Sequence, residues 1–184
     1  MNNHSPKDFI ELNEVLSKKS FRTEHLPFVS IRQIHHWKEI EVLDDHRKYA
    51  ASGMKSSYSF FEVVWIKIVT EMRSFRISNI SIREVKKYLF DTSETKVNQE
   101  ILVFHKVILK TIIDPTTYFI IIVRDGSVKI LDKEVYNQSI NEDTIDHHIS
   151  LRLNILIWEV LSILDFNPDI KSIIQHYKTR IQSS

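Results

Sequence analysis

Three helix starts of the same chemical kind constrain the fold of this chain more than any other feature of its sequence. The stretches Ser30-Ile-Arg-Gln33, Ser59-Phe-Phe-Glu62 and Ser81-Ile-Arg-Glu84 all match the capping-box pattern. In that pattern the serine hydroxyl accepts a hydrogen bond from the third residue's N–H, and the Glu or Gln side chain accepts one from the serine's N–H. Each stretch opens a run with helical apolar spacing, so the sequence predicts helices over about 30–41, 59–75 and 81–90.

The apolar spacing also predicts which side of each helix faces the core. In the first helix Ile31, Ile34 and Trp37 lie on one side, whereas Arg32 and His36 lie on the other. In the second helix the stripe expected to face the core comprises Phe61, Val64, Trp65, Ile68, Met72 and Phe75. In the third helix the residues expected to be buried are Ile82, Val85 and Leu89.

The residues around the first of these helices outline a helix-turn-helix. Residues 20–26 have room only for a short helix, because Pro27 disfavours the α conformation at the residue before it. A short helix, a tight turn and a capped helix together make this outline. The polar residues 42–58 are predicted to form a two-stranded flap that carries Arg47, Lys48 and Lys55.

The rest of the chain predicts a long helix and a small sheet. Over 94–113, four apolar residues follow the 4-3-4 spacing of a helix-pair seam: Val97, Ile101, Phe104 and Ile108. The runs predicted as strands are 118–123, 128–131 and 148–153, and Asp125-Gly126 is the hairpin signal between the first two. Further helices are predicted over 7–19, 154–164 and 168–182. The predicted class is mainly α with a small α+β part that contains a three-stranded antiparallel sheet.

Composition excludes several classes of protein and site. The absence of cysteine removes disulfides, zinc–thiolate sites and thiol nucleophiles, and two glycines cannot supply a Rossmann fingerprint or a Walker A loop. No apolar run reaches the ~18 residues of a membrane span, and the first residues contain no apolar signal region. We therefore expect a cytoplasmic protein with no membrane partner.

The histidine pair His147-His148 is the only other cluster that invites a chemical interpretation. Neighbouring strand residues point to opposite faces, so the pair cannot easily chelate one ion. Asp143, Asp146 and His148 have no nucleophile motif beside them. We expect no metal, no cofactor and no catalytic residue, and the chain is predicted not to be an enzyme.

The net charge of +1, from 25 basic and 24 acidic residues, is an average over unlike segments. Residues 21–90 contain twelve bases and eight acids, a net charge of +4, while residues 91–184 contain ten bases and thirteen acids, a net charge of −3. Binding to a phosphate backbone requires clustered Lys and Arg rather than a basic chain as a whole. This uneven distribution of charge favours a nucleic-acid interface within residues 21–90.

Three motifs within this basic segment point to a family. Residues 29–38 read VSIRQIHHWK, residues 47–59 begin with Arg and end in GMKSSYS, and residues 73–82 read RSFRISNISI. Together they resemble the recognition helix, the wing and the link between the third and fourth helices in the DNA-binding domain of the MerR family of bacterial transcription regulators. His35 stands where the family often has Arg, and the family's metal-binding cysteines have no counterpart.

The resemblance implies a winged helix-turn-helix over 20–92, preceded by a helical extension over 1–19. It implies a dimerisation helix over 93–113, with the apolar seam as its contact, and leaves 114–184 as a small α+β domain. The chain would be a transcription regulator that binds duplex DNA as a homodimer, with RNA polymerase as a candidate further partner. The resemblance leaves open whether a small-molecule effector exists. The implied DNA-contacting residues are Ser30, Arg32, Gln33, His35, His36, Arg47, Lys48, Lys55, Ser56 and Tyr58.

The alternative is a protein-interaction or DNA-architectural module that keeps this fold without regulating transcription directly. His35 in place of Arg and the first helix broken by Pro27 favour it. Dimerisation in solution without retention of DNA would distinguish an interaction module from a DNA-binding regulator.

Overall fold

The computed structural model describes residues 6–44, 57–90, 102–113, 117–124 and 126–163, together with residues 172, 174–176 and 179. These residues form α1 (Pro6–Ser17), β1 (Phe21–Arg22), a 3-10 helix (Thr23–His25), α2 (Ile31–Glu39), β2 (Ser57–Tyr58), α3 (Phe60–Ser74), α4 (Asn79–Phe90), α5 (Val103–Ile113), β3 (Tyr118–Val123), β4 (Val128–Asp132), α6 (Lys133–Asn141), β5 (His148–Arg152) and α7 (Leu153–Ile163). The predicted class, mainly helical with a small three-stranded antiparallel sheet, is confirmed. Within the described ranges no helix is both long and apolar enough to cross a membrane.

Two of the three predicted capping boxes are confirmed. At α2 the Gln33 N–H donates to the Ser30 hydroxyl at 3.2 Å, and the Ser30 N–H donates to the Gln33 side-chain oxygen at 2.8 Å. At α3 the same pair of bonds joins Ser59 and Glu62, at 3.2 and 2.7 Å. Both helices therefore begin where a serine satisfies a backbone N–H that has no partner inside the helix.

The third predicted capping box is wrong, because α4 begins two residues earlier. Ser81 lies inside the first turn, and its N–H donates to the Ser78 hydroxyl at 3.1 Å. The Ser78 carbonyl accepts the first intrahelical bond, from the Ile82 N–H at 3.0 Å. Ser78 thus occupies the capping position, and the predicted burial of Ile82, Val85 and Leu89 is confirmed.

The central helix α3 is buried on almost every side. Its buried side chains are Phe60, Phe61, Val63, Val64, Trp65, Ile66, Ile68, Val69 and Met72. The predicted stripe is confirmed except at Phe75, whose side chain is 60% exposed. The helix ends at Ser74, and Arg76 adopts a left-handed φ of 59°. The chain therefore leaves the helical path before Phe75 can join the stripe.

Helices α1 and α5 both pack against the core. Leu12 and Leu16 of α1 are fully buried, and Asn13 Oδ1 lies 3.1 Å from His105 Nδ1 on α5. The described part of the predicted 94–113 helix is helical from Val103. The buried side chains from α1 to residue 174 form one connected cluster, and the domain boundaries given above stay a prediction.

The sheet has the strand order β4-β3-β5, with both neighbours antiparallel to β3. The strands predicted over 118–123, 128–131 and 148–153 are confirmed within one or two residues. Ile120 and Ile122 point towards the main cluster. Gly126 adopts φ +90° between β3 and β4, a conformation that glycine takes without strain; Asp125 lies outside the described residues.

Helix α6 is absent from the sequence-based expectations. Asp132, the last residue of β4, caps it by accepting a hydrogen bond from the Val135 N–H at 2.9 Å. Tyr136 of α6 stacks on Phe119 of β3, with the ring centroids 4.6 Å apart. Helix α6 therefore covers the face of the sheet opposite the main cluster. The helix predicted over 154–164 is confirmed as α7; of residues 168–182 the structure describes five, all helical.

Candidate nucleic-acid interface

Helix α2, the predicted recognition helix, is attached to the core by one side only. Ile34 and Trp37 are each 3% exposed, as predicted for core residues. Lys38 is buried beside them, with its Nζ 5.5 Å from the centroid of the Tyr58 ring. Ile31 departs from the prediction, because its side chain is 63% exposed. The helix therefore rests on its middle and last turns, and its first turn projects into solvent.

The segment after α2 is held by three hydrogen bonds from two side chains on other helices. The indole N–H of Trp65 on α3 donates to the Val42 carbonyl at 3.0 Å. The Lys86 ammonium on α4 donates to the Glu41 carbonyl at 3.1 Å and to the Asp44 carboxylate at 2.7 Å. Sequence spacing alone does not reveal these contacts, which span 23 to 45 residues along the chain. They hold the segment that follows α2 against α3 and α4.

The segment before α2 is not the helix that a helix-turn-helix requires. Residues 21–22 form β1, which pairs antiparallel with β2, and a three-residue 3-10 helix follows. His25 Nδ1 accepts a hydrogen bond from the Arg22 N–H at 3.3 Å, which favours this tight turn. The predicted first helix over 20–26 is therefore wrong. The strand pair joins the residues before α2 to those before α3, with Phe21 opposite Tyr58.

Four of the predicted contact residues lie together on the outward face of α2. Arg32, His35 and His36 are exposed there, and Ser30 is exposed at the start of the helix. His36 Nδ1 lies 4.0 Å from a Glu39 carboxylate oxygen, so this face is not purely basic. The helix spacing therefore brings a guanidinium and two imidazoles onto one accessible surface.

Gln33 is exposed, but its side-chain oxygen is committed to the capping box. That oxygen lies 2.8 Å from both the backbone N and the hydroxyl of Ser30. A base contact through this oxygen would break the cap of α2. The side-chain oxygen of Gln33 therefore stabilises the start of α2.

Tyr58, predicted to contact DNA, is a core residue. Its side chain is only 3% exposed, and it pairs with Phe21 across the strand pair. Its ring lies under the ammonium group of Lys38, which is itself buried. The prediction for Tyr58 is therefore wrong, because β2 turns this side chain inwards.

Several predicted residues lie outside the described part of the chain. They are Arg47, Lys48, Lys55 and Ser56 of the predicted flap, and Val97 and Ile101 of the predicted dimer seam. The other two seam residues, Phe104 and Ile108, are fully buried within the chain's own core. Phe104 packs against Phe90 of α4 at a ring distance of 5.1 Å. In this structure these two side chains therefore have intramolecular partners.

The cluster around His147-His148 lies at the start of β5, and its contacts hold secondary-structure elements together. His148 Nδ1 lies 2.9 Å from the Asp146 carbonyl oxygen, and His148 Nε2 lies 3.1 Å from the Tyr136 hydroxyl. Because a carbonyl oxygen can only accept, Nδ1 is the donor in the first of these bonds. The histidine thus holds α6 against the sheet. Among the described residues, no three His, Asp or Glu side chains are grouped as metal ligands would be.

Comparison with known proteins identifies no relative. No protein-family model, no curated protein and no solved structure matches this chain.

Proposed function

We propose that this chain is a DNA-binding protein that inserts the outward face of α2 into the major groove of duplex DNA. The observation that carries the proposal is the exposure of Arg32, His35 and His36 on one side of a capped helix whose other side is anchored in the core. Arginine can bond the two acceptors on a guanine edge at once, or a phosphate. A helix held this firmly on one side can enter a groove without losing its own packing.

The motif resemblance extends this proposal to a transcription regulator of the MerR type that acts as a homodimer. The charge excess of residues 21–90 supports contact with a phosphate backbone. The replacement of the first helix by a strand pair and a 3-10 turn gives α2 a different support from that of an ordinary helix-turn-helix. The basic residues of the predicted flap would add backbone contacts beside the groove, as positioning contacts do in other complexes.

The test is a binding titration with fluorescently labelled 30-base-pair duplexes of random sequence, at 50 and 200 mM salt. We expect binding at low salt that weakens steeply as the salt concentration rises, because each neutralised phosphate releases counterions. Absence of binding at 50 mM salt by the folded protein would overturn the proposal. Sedimentation of the same samples would report whether the bound species contains two chains.

A protein-interaction module is the second candidate, and one observation favours it. Phe75 and Ile80 flank the turn between α3 and α4, and they are 60% and 67% exposed. Two large apolar side chains at one corner are more typical of a protein contact than of a phosphate contact. Failure to bind DNA together with dimerisation that Phe75→Ser abolishes would favour this candidate.

A further inference from the structure

Ile31 is an exposed isoleucine at the first position of α2. Its side chain is 63% exposed, although apolar spacing predicts that it faces the core. The core contacts of this helix are supplied by Ile34 and Trp37, and Val29 is buried just before the cap. Packing within the described residues therefore does not require an isoleucine at position 31.

The neighbours of Ile31 on the helix surface are the residues of the candidate interface. Residues four apart on a helix are adjacent, so Ile31 and His35 form one ridge, and Arg32 and His36 form the next. All four side chains are exposed. Ile31 and Arg32 share the first turn, and the N-terminal residues of a recognition helix are those that contact base edges. An apolar and a cationic side chain thus stand next to each other where bases would be contacted.

The chemistry of the major groove offers a specific match to this pair. Thymine carries a C5-methyl group, the apolar group that base pairs display in that groove, and guanine displays two acceptors suited to arginine. We propose that Ile31 packs against a thymine methyl group and so makes thymine the preferred base beside the base that Arg32 contacts. The inference rests on the proposed function, and it specifies the base chemistry that this face of α2 recognises.

The contact between Ile31 and a thymine methyl group would favour thymine over bases without that methyl, because it buries apolar surface. A branched side chain that is mostly in water in the free protein gains when it is covered by another apolar group. Cytosine has no methyl at this position, and deoxyuridine has the same hydrogen-bonding edge as thymidine but lacks the methyl. Deoxyuridine therefore isolates the methyl group from every hydrogen bond in the groove.

The experiment uses the full chain and two forms of the same duplexes. Sequences are first selected from a random 30-base-pair pool by the wild-type protein, and the selected duplexes are then prepared with either thymidine or deoxyuridine. Titrations of both forms are made with the wild-type protein, Ile31→Ala and Ile155→Ala. Ile155 is a matched control, because it is also an exposed isoleucine in the first turn of its helix, α7. Alanine is a good helix former, and thermal unfolding followed by circular dichroism verifies that each variant is folded.

We expect loss of the methyl groups to weaken wild-type binding by about threefold to tenfold for each contacted thymine. Ile31→Ala should bind both forms equally, and Ile155→Ala should keep the wild-type difference. Equal binding of both forms by the wild-type protein, or an unchanged difference in Ile31→Ala, would overturn the inference and leave DNA binding intact. Recovery of no duplex from the pool would instead overturn the proposed function, and this inference with it.

Discussion

Lys67 on α3 and Glu159 on α7 form an ion pair in which Nζ lies 2.7 Å from Oε2. The same ammonium lies 2.7 Å from Glu71 Oε1, and the lysine side chain is only 12% exposed. Burial acts to lower the pKa of Lys67, but the hydrogen bonds to Glu159 and Glu71 outweigh it, so the pKa is raised. The helix that follows the sheet is thereby joined to the central helix by charge as well as by apolar packing.

Glu159→Gln should lower the free energy of unfolding by about 1 kcal/mol at pH 7, because the lysine keeps Glu71 as a partner and Glu159 is half exposed. A lysine whose folded pKa is raised contributes fully at neutral pH, and its contribution is lost only as the pH rises through that folded pKa. Urea unfolding measures the change. Glu84→Gln, an exposed glutamate on α4, is the control and should be neutral; equal effects of the two variants would contradict the role of the ion pair.

The lowered pKa of His105 predicts that the protein loses stability in mild acid. The His105 ring stacks on Phe61 at 3.6 Å, and burial, opposed weakly by the charge of Glu62, lowers its pKa from 6.5 to about 4. As the pH falls from 6.5 towards 4, the unfolded chain takes up a proton that the folded chain does not, so stability falls by about 3 kcal/mol. His105→Phe keeps an aromatic ring beside Phe61 and removes the proton site; it also removes the hydrogen bond to Asn13, so the test compares how stability changes with pH rather than its absolute value.

The difference between wild-type and His105→Phe unfolding free energies should therefore change in favour of the variant as the pH is lowered from 7 to 4. Carboxylates titrate in both proteins and cancel from the comparison. Parallel pH profiles for the two proteins would show that His105 does not carry the effect.

The position of the cap on α4 can be tested with two serines three residues apart. Ser78→Ala should lower the free energy of unfolding by about 1 kcal/mol, because it leaves the Ser81 N–H without its acceptor. Ser81→Ala should cost much less, since Ser81 lies within the helix, where alanine is favoured. A larger loss of stability in Ser81→Ala than in Ser78→Ala, measured by thermal or urea unfolding, would place the cap at Ser81.

Trp65→Phe should loosen the segment after α2 without unfolding the core. The variant keeps an aromatic ring but loses the indole donor to the Val42 carbonyl, a buried bond worth about 1 to 2 kcal/mol. Hydrogen exchange should become faster at the Val42 and Leu43 amides, which donate to the Trp37 carbonyl. The amides of Ile120 and Ile121 in β3 serve as the internal control; uniform acceleration at all four would indicate global destabilisation instead.

Arg32→Ala should weaken binding to a selected duplex by about 1 to 3 kcal/mol and bind random duplexes almost as the wild-type protein does, because a base contact carries sequence preference. Arg124→Ala changes an exposed arginine between β3 and β4 and should leave both affinities unchanged. Equal weakening on selected and random duplexes would assign Arg32 to the phosphate backbone.

Local chemistry made part of this fold predictable from sequence. The caps at Ser30 and Ser59 depend on residues three apart, so their hydrogen bonds can be read directly from the chain. The cap of α4 is misplaced by the sequence pattern because Ser81 is followed three residues later by Glu84, whereas Ser78, which occupies the cap, is followed by Ser81 at that spacing. Helix α6 was missed because Asp132 ends a strand and caps a helix at once, with no loop between them.

The candidate site was less predictable, because tertiary contacts decide which side chains face outwards. Ile31 has the spacing of a core residue but begins α2 beyond the reach of the core, and Tyr58 is turned inwards by pairing of β2 with β1. The bonds from Trp65 and Lys86 to the segment after α2 join residues far apart in sequence. Periodicity contains no information on such pairs.

The burial of α1 also bears on how the chain folds during synthesis. Leu12 and Leu16 lie in one cluster with Phe104 and Ile108, and Asn13 bonds to a residue 92 positions further on. At about 5 to 20 residues per second, a ribosome needs several seconds to make the chain between them. Helix α1 also contacts α3, which is made earlier, so α1 can pack against α3 first and complete its packing against α5 only after that interval.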